Sequence, residues 1–283
     1  MDQAKVYKGG SDDKIIFYIH GGGWHFGTND SSQHIADSFK DYTVVAPQYR
    51  LSAVDTSAVQ MTAMAQIIVF TCLTFYSVNG LQMILSLLIL TSVALFLSVV
   101  HYFIPQDGAR HPEHIEDITK AFAEMMKQYN PKTVHVMGHS AGGHLASLLC
   151  TNRHYLESVG CSLEDVTSCI CISGVYSDVR LKDHMVGKQI LKSAFGHKEH
   201  YGDAFPIYHI KSDVPPVLLL NAEYDYQFKP QSYDFHYALR QKGVWSEIDY
   251  FEDYNHVSLG RKWDDNPKVV KRIDAFMNKI LSH

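Results

Sequence analysis

Two textures of hydrophobic patterning run along the chain. In the first, short β-branched or aromatic runs bounded by turn residues recur at 14–20, 42–46, 133–138, 169–173, 217–222 and 247–251, and each predicts a strand. Residues 112–129 carry apolar side chains at 115, 118, 122, 125 and 126 behind a proline and an acidic start, the spacing of an amphipathic helix. The segments 231–242 and 267–281 repeat that spacing, and the apolar stretch 141–150 follows a strand directly. Strands alternating with helices predict a largely parallel α/β sheet flanked by helices. Residues 176–206, rich in Lys, His and Gly, read as an irregular excursion bordering a pocket.

The second texture is confined to 56–106, where no Asp, Glu, Lys or Arg occurs. Two apolar runs, 58–78 and 81–104, flank the turn dipeptide Asn79-Gly80, and each is long enough to cross roughly 30 Å of hydrocarbon as a helix. The expectation is a membrane helical hairpin inserted into a single domain spanning 1–283, with a lipid bilayer as its partner. Two other readings stand beside it: a pair of buried helices, and a translated non-coding or mis-spliced segment.

Composition narrows the picture. With 46% hydrophobic and 19% charged residues the chain has a core to bury, which excludes a disordered or fibrous protein. A formal charge of −5 without any basic run argues against a nucleic-acid partner. Five cysteines are too few for a disulfide framework, and the first residues lack the apolar region of a secretory signal. A reducing location on the cytoplasmic face, membrane-associated and not secreted, is therefore expected. Cys169 and Cys171 share one face of a strand and read as apolar packing residues.

The candidate chemistry lies just beyond strand ends. Gly138-His139-Ser140-Ala141-Gly142 sits between a strand and a helix, where small residues let the backbone pinch and present a serine hydroxyl at the tip. A plain tight turn with an N-capping serine is the alternative. His20-Gly21-Gly22-Gly23-Trp24 ends another strand, and its glycine amides are free to face an oxyanion without an intervening Cβ. A phosphate loop is disfavoured there because G-x-G-x-x-G spacing is absent. Trp24 and His20 are expected to orient this loop. A base for Ser140 is offered by His256, and an acid to orient it by Asp225, with Glu223 and Asp253 as alternatives. Pocket walls are expected near Trp24, Tyr176 and onward to Pro206. No metal or other cofactor is expected: His111 and His114 read as a solvent-facing helix start, and most other histidines as surface residues.

These motifs resemble the α/β-hydrolase fold, specifically its esterase branch of hormone-sensitive-lipase-like carboxylesterases and kynurenine formamidase-like (arylformamidase-like) enzymes. The resemblance rests on the two glycine motifs above, on Ala46-Pro47-Gln48-Tyr49-Arg50-Leu51, His114-Ile115-Glu116-Asp117-Ile118, Ile172-Ser173-Gly174-Val175-Tyr176, Ala222-Glu223-Tyr224-Asp225 and Asn255-His256-Val257-Ser258. It implies Ser140 as nucleophile, His256 as base and then acid, Asp225 as its orienter, and Gly22, Gly23 and Ala141 as oxyanion donors. The implied substrate is a small carboxylic ester or an N-formyl aryl amide, cleaved through an acyl-enzyme. A catalytically inactive binding protein of the same fold is the rival. The family usually has two strands before the His-Gly-Gly-Gly strand, whereas only 13 residues precede Lys14, so an N-terminally shortened sheet with a bare edge is expected.

Overall fold

The computed structural model describes residues 4–53, 92, 108–183, 185–196, 201–225, 228–261, 263 and 267–282. The chain divides into two compact units, one made of Met1–Leu51 with Ala109–His283 and the other of Ser52–Gly108. The apolar insertion expected to form a hairpin, 56–106, lies outside the described residues except for Ser92. Among the described residues no helix is long and apolar enough to cross a membrane.

The first unit is built on a seven-stranded sheet. Its strands are β1 (Ala4–Tyr7), β2 (Lys14–Ile19), β3 (Thr43–Pro47), β4 (Thr133–His139), β5 (Ser168–Ile172), β6 (Val217–Tyr224) and β7 (Ser246–Asn255), in the spatial order β1-β3-β2-β4-β5-β6-β7. All neighbours are parallel except β1 and β3. The helices are α1 (Gln33–Ser38), α2 (Glu113–Tyr129), α3 (Ala141–Thr151), α4 (Met185–Phe195), α5 (Phe228–Gln241) and α6 (Lys268–Leu281), with shorter helical turns between them.

Strict alternation along the strands assigns each side chain to one of two cores. Ile15, Phe17, Ile19, Val134, Val136, Cys169, Cys171, Val217 and Leu219 face one side and pack under α2, α3 and α5 through Ile118, Phe122, Leu145, Leu149 and Phe235. Ile16, Tyr18, Met137, Ile170, Ile172, Leu218 and Leu220 face the other and meet Ile35 of α1 and Val269, Ile273, Phe276 and Met277 of α6. Because both faces are covered, the central strands read as continuous apolar runs rather than alternating ones. The parallel order brings the C-terminal ends of β2, β4, β5 and β6 to one rim, the rim where open α/β sheets bind ligands.

Three expectations are corrected. The sheet edge is not bare: β1 pairs antiparallel with β3, from Ala4 opposite Pro47 to Tyr7 opposite Val44. Four residues carry too little periodicity to be read as a strand alone; the unpaired amides of β3 supply the template. The 176–206 segment is not an irregular excursion, since α4 and the helical turn Tyr201–Ala204 occupy much of it, anchored by buried Leu191, Ala194, Phe195 and Phe205. Among the described residues the histidines are not mainly superficial. His20, His114, His135, His139 and His144 are all buried, and His114 faces inward from α2 rather than marking a solvent-facing helix start.

Candidate active site

Ser140 joins β4 to α3 with φ +55 and ψ −119, a left-handed turn that forces its side chain away from both elements. Its own amide donates to the Ile172 carbonyl at 2.8 Å, and its carbonyl accepts from the His144 amide at 3.0 Å. Two glycines make the turn sterically feasible. A Cβ on Gly142 would lie 2.0 Å from the Ile19 carbonyl oxygen, and one on Gly138 would lie 2.2 Å from that of Gly142. Such separations exclude any side chain at either position without moving backbone.

His256 begins a short helical turn, His256–Leu259, whose start is locked by a reciprocal cap. The Asn255 side-chain oxygen accepts from the amides of Val257 and Ser258 at 3.0 and 2.9 Å, while Ser258 Oγ accepts from the Asn255 amide at 2.9 Å. This is why Asn-His-Val-Ser positions an imidazole so closely. His256 Nδ1 lies 2.7 Å from Asp225 Oδ1, and Nε2 lies 2.9 Å from Ser140 Oγ. An ionised Asp225 accepts only, so Nδ1 carries the hydrogen and the Nε2 lone pair faces the serine hydroxyl.

Asp225 is buried at the end of β6, and its second oxygen accepts from Ser173 Oγ, from Asn221 Nδ2 at 3.4 Å and from the Ala222 amide at 3.3 Å. Burial alone raises a carboxyl pKa; here the hydrogen bond and charge of His256, with the bonds from Ser173 and Ala222, outweigh burial and hold it below the ordinary value. The alternatives to Asp225 are not in this network: Glu223 and Asp253 are both exposed.

The glycine loop after β2 lies against the serine. A Cβ on Gly21 would come within 3.2 Å of Ser140 Cβ, and Gly22 and Gly23 both adopt positive φ, +128 and +60. The amides of His25 and Phe26 close back onto the Gly22 carbonyl. Among the described residues no backbone carbonyl accepts from the amides of Gly22, Gly23 or Ala141. The loop is tied down at its start by His20, stacked on Tyr49 at 4.4 Å and receiving the Tyr49 hydroxyl on its carbonyl, and in its middle by Trp24, wedged edge-on between His144 and Phe195.

A cleft of about 300 Å³ opens over these groups, lined by Gly21, Gly22, Gly23, Ser140 and His256 together with Tyr18, His34, Val257 and Arg261. Of the walls expected near Trp24, Tyr176 and onward to Pro206, the glycines beside Trp24 line this cleft, whereas Trp24 itself and Tyr176 do not. Trp24 is buried among aromatic rings, and Tyr176 is buried and stacked on Phe235 at 4.5 Å. Apolar rings at these positions gain more from the core than from lining a polar cleft. Among the described residues no group of side chains is arranged to hold a metal ion.

Three supporting residues carried no assigned role in the sequence reading. Ser173, at φ +48 beyond β5, holds Asp225. Phe228 stacks on His256 with ring centres 4.3 Å apart. His139 donates from Nε2 to the His256 carbonyl at 2.8 Å, and burial, reinforced by the neighbouring His256, pulls its pKa down to about 3, so it serves as a neutral strut. The available signal was positional, since Ser173 and His139 each stand at a strand's C-terminal end.

A parallel sheet of this order, with a serine at the β4–α3 turn, defines the α/β-hydrolase fold. The chain belongs to the prolyl oligopeptidase family (Peptidase_S9), whose sequence pattern matches residues 106–283. It is 31% identical over 130 residues to a probable carboxylic ester hydrolase, LipM, of Mycobacterium tuberculosis, covering 40% of this chain and 30% of that protein. It is 24% identical over 147 residues to the isoprenylcysteine alpha-carbonyl methylesterase ICME of Arabidopsis thaliana, covering 46% of this chain and 34% of that protein. The chain thus spans about a third of the length of these relatives. The crystal structure of EstE5 soaked with p-nitrophenyl butyrate superposes with a TM-score of 0.67 at 16% identity, over 100% of this chain and 87% of that one, a likeness of fold.

Proposed function

We propose that this protein is a serine hydrolase that cleaves small carboxylic esters through an acyl-enzyme. The observation that carries the reading is the continuous hydrogen-bonded chain from Ser140 Oγ through His256 to Asp225, beneath a glycine loop with unpaired amides. In this scheme His256 accepts the Ser140 proton as the oxygen attacks the ester carbonyl. The amides of Gly22, Gly23 and Ala141 hold the tetrahedral oxyanion, each such donor contributing about 10²- to 10³-fold in rate. His256 then protonates the departing alcohol, and water repeats the sequence on the acyl-serine. Asp225 keeps the hydrogen on Nδ1 throughout.

Esters are favoured over N-formyl aryl amides by the names of the two curated relatives, one a carboxylic ester hydrolase and the other a methylesterase. Fluorophosphonate labelling of the full chain beside Ser140→Ala tests the nucleophile. Labelling confined to the parent protein is expected, with ester hydrolysis falling by about 10⁴-fold or more in the variant. Equal labelling of both proteins removes Ser140 from the scheme. A parallel assay of a phenyl ester and an N-formyl aryl amide decides the substrate, and faster turnover of the formamide reverses the preference stated here.

A further inference from the structure

Among the described residues Arg261 is the cationic side chain that lines the cleft. It lines the same cleft as Ser140 and His256, is exposed, and makes no ion pair or side-chain hydrogen bond among the described residues. By contrast Arg50 is held by Asp117 and Glu113, Arg180 by Asp234, and Arg272 by Glu247 and Asp249. Among the described residues no carboxylate lines the cleft.

Its backbone is fixed relative to the catalytic candidates. The Arg261 amide donates to the Ser258 carbonyl at 3.2 Å, within the turn that carries His256, and the preceding Gly260 packs so closely that a Cβ would lie 2.6 Å from the His139 ring. Tyr18 and His34, whose rings meet edge-on at 5.9 Å, line the same cleft. Burial pushes the Tyr18 phenol above its ordinary range while the nearby Arg261 charge pulls it back, so the hydroxyl is a neutral donor within the guanidinium's field. A guanidinium and a phenol lining one cleft match a carboxylate, which takes a forked pair of N–H donors and one further O–H.

We infer that the cleft selects substrates carrying a carboxylate, bound by Arg261 while the scissile carbonyl lies at Ser140. Arg261 is a specificity-determining residue on this view, and the inference rests on the hydrolase reading above only for its catalytic consequence. The carboxylate belongs either to the acyl chain, as in a half-ester of a dicarboxylic acid, or to the leaving alcohol.

Matched pairs separate these sources. On the acyl side, p-nitrophenyl hemiglutarate is compared with p-nitrophenyl valerate; on the alcohol side, 4-acetoxybenzoate with 4-acetoxybenzamide. The expected result is that one charged ester exceeds its neutral partner in kcat/KM by about tenfold or more at low salt. That ratio collapses in Arg261→Gln, is partly retained in Arg261→Lys, and shrinks with added sodium chloride. Calorimetric binding of glutarate and 4-hydroxybenzoate to the Ser140→Ala protein, with and without Arg261→Gln, gives a readout independent of turnover. Hydrolysis of neutral esters with no charge preference in either pair, or a ratio unchanged by Arg261→Gln, overturns the inference and leaves the hydrolase reading intact. Carboxylate binding that depends on Arg261 in a chain that cleaves no ester does the reverse. Absence of any Arg261-dependent carboxylate binding also overturns it.

Discussion

The rim of the sheet and its two faces obey different rules. On the faces, side chains are aliphatic or aromatic, backbones are regular, and polar groups are few. At the rim the chain enters left-handed conformations at Gly22, Gly23, Trp24, Ser140 and Ser173, and charged or polar groups are buried in bonded sets. Conformations of this kind carry a cost of order 1–3 kcal/mol each at non-glycine positions, so they persist only where the surroundings over-determine them. The faces provide that surplus: Gly142 is pressed on the Ile19 carbonyl, and Trp24 is held between two aromatic rings, His144 and Phe195. The contrast teaches that the rim gathers strained backbone and bonded polar groups at the expense of local stability, and that the faces supply that stability.

Substitutions at the two regions should therefore separate activity from stability. After Ser140→Ala, the largest effect is expected at His256→Ala, which removes the acceptor for the Ser140 proton: ester hydrolysis falls by about 10³- to 10⁴-fold while the melting temperature stays close to that of the parent. A large drop in melting temperature with activity per folded molecule retained would break the distinction. Next is Phe122→Ala on the α2 face, where the ring meets Phe17 edge-on at 5.4 Å. Urea unfolding should show a loss of about 3–5 kcal/mol, with kcat nearly unchanged in the folded fraction.

The smallest effect concerns protons. His114, His135, His139 and His144 are each pushed down to about 3 by burial, against about 6.5 in the unfolded chain. The unfolded state then binds more protons throughout the interval between those values, so stability falls as pH drops below about 6.5 and is unaffected by these groups above it. Each histidine removes up to about 1.4 kcal/mol per pH unit in that window. Asp225, held below its ordinary value, acts in the same direction at lower pH. Replacing His135, which is fully buried and bonded to Ser168 Oγ, by Gln should reduce the slope of urea midpoint against pH between 5 and 6 by about one proton. A slope identical to the parent's would show that His135 is protonated in the folded state.

Much of the fold was legible because two-sided burial leaves a plain mark: β2, β5 and β6 each hold a run of consecutive apolar residues, and β4 is β-branched and apolar apart from His135 and its Gly-His end. The strand β1 was not legible, since its reason for existing is the edge of β3 rather than its own four residues. The α4 helix was missed because Lys, His and Gly dominate the surrounding composition, whereas its few buried positions, Leu191, Ala194 and Phe195, decide its state. At the site, Ser140, Asp225 and His256 could be named from chain order and local motifs. Their supports, Ser173, Phe228 and His139, touch them only across 52, 28 and 117 residues of sequence, and no local pattern encodes such contacts.

By itself, then, the amino-acid sequence determined the alternation of strands and helices, the elbow around Ser140 and the capped turn at His256, because each depends on sterics and hydrogen bonds within a few residues. Tertiary structure decided that Asp225 rather than Glu223 or Asp253 meets His256, which histidines are buried and neutral, and where the cleft opens. Those outcomes depend on distances between segments far apart in the chain, and they are set by the packing of two cores against one sheet. The placement of Arg261 beside Ser140 and His256 is of the same kind: any sequence can hold an arginine, but only the folded chain determines which arginines find a carboxylate and which line the cleft.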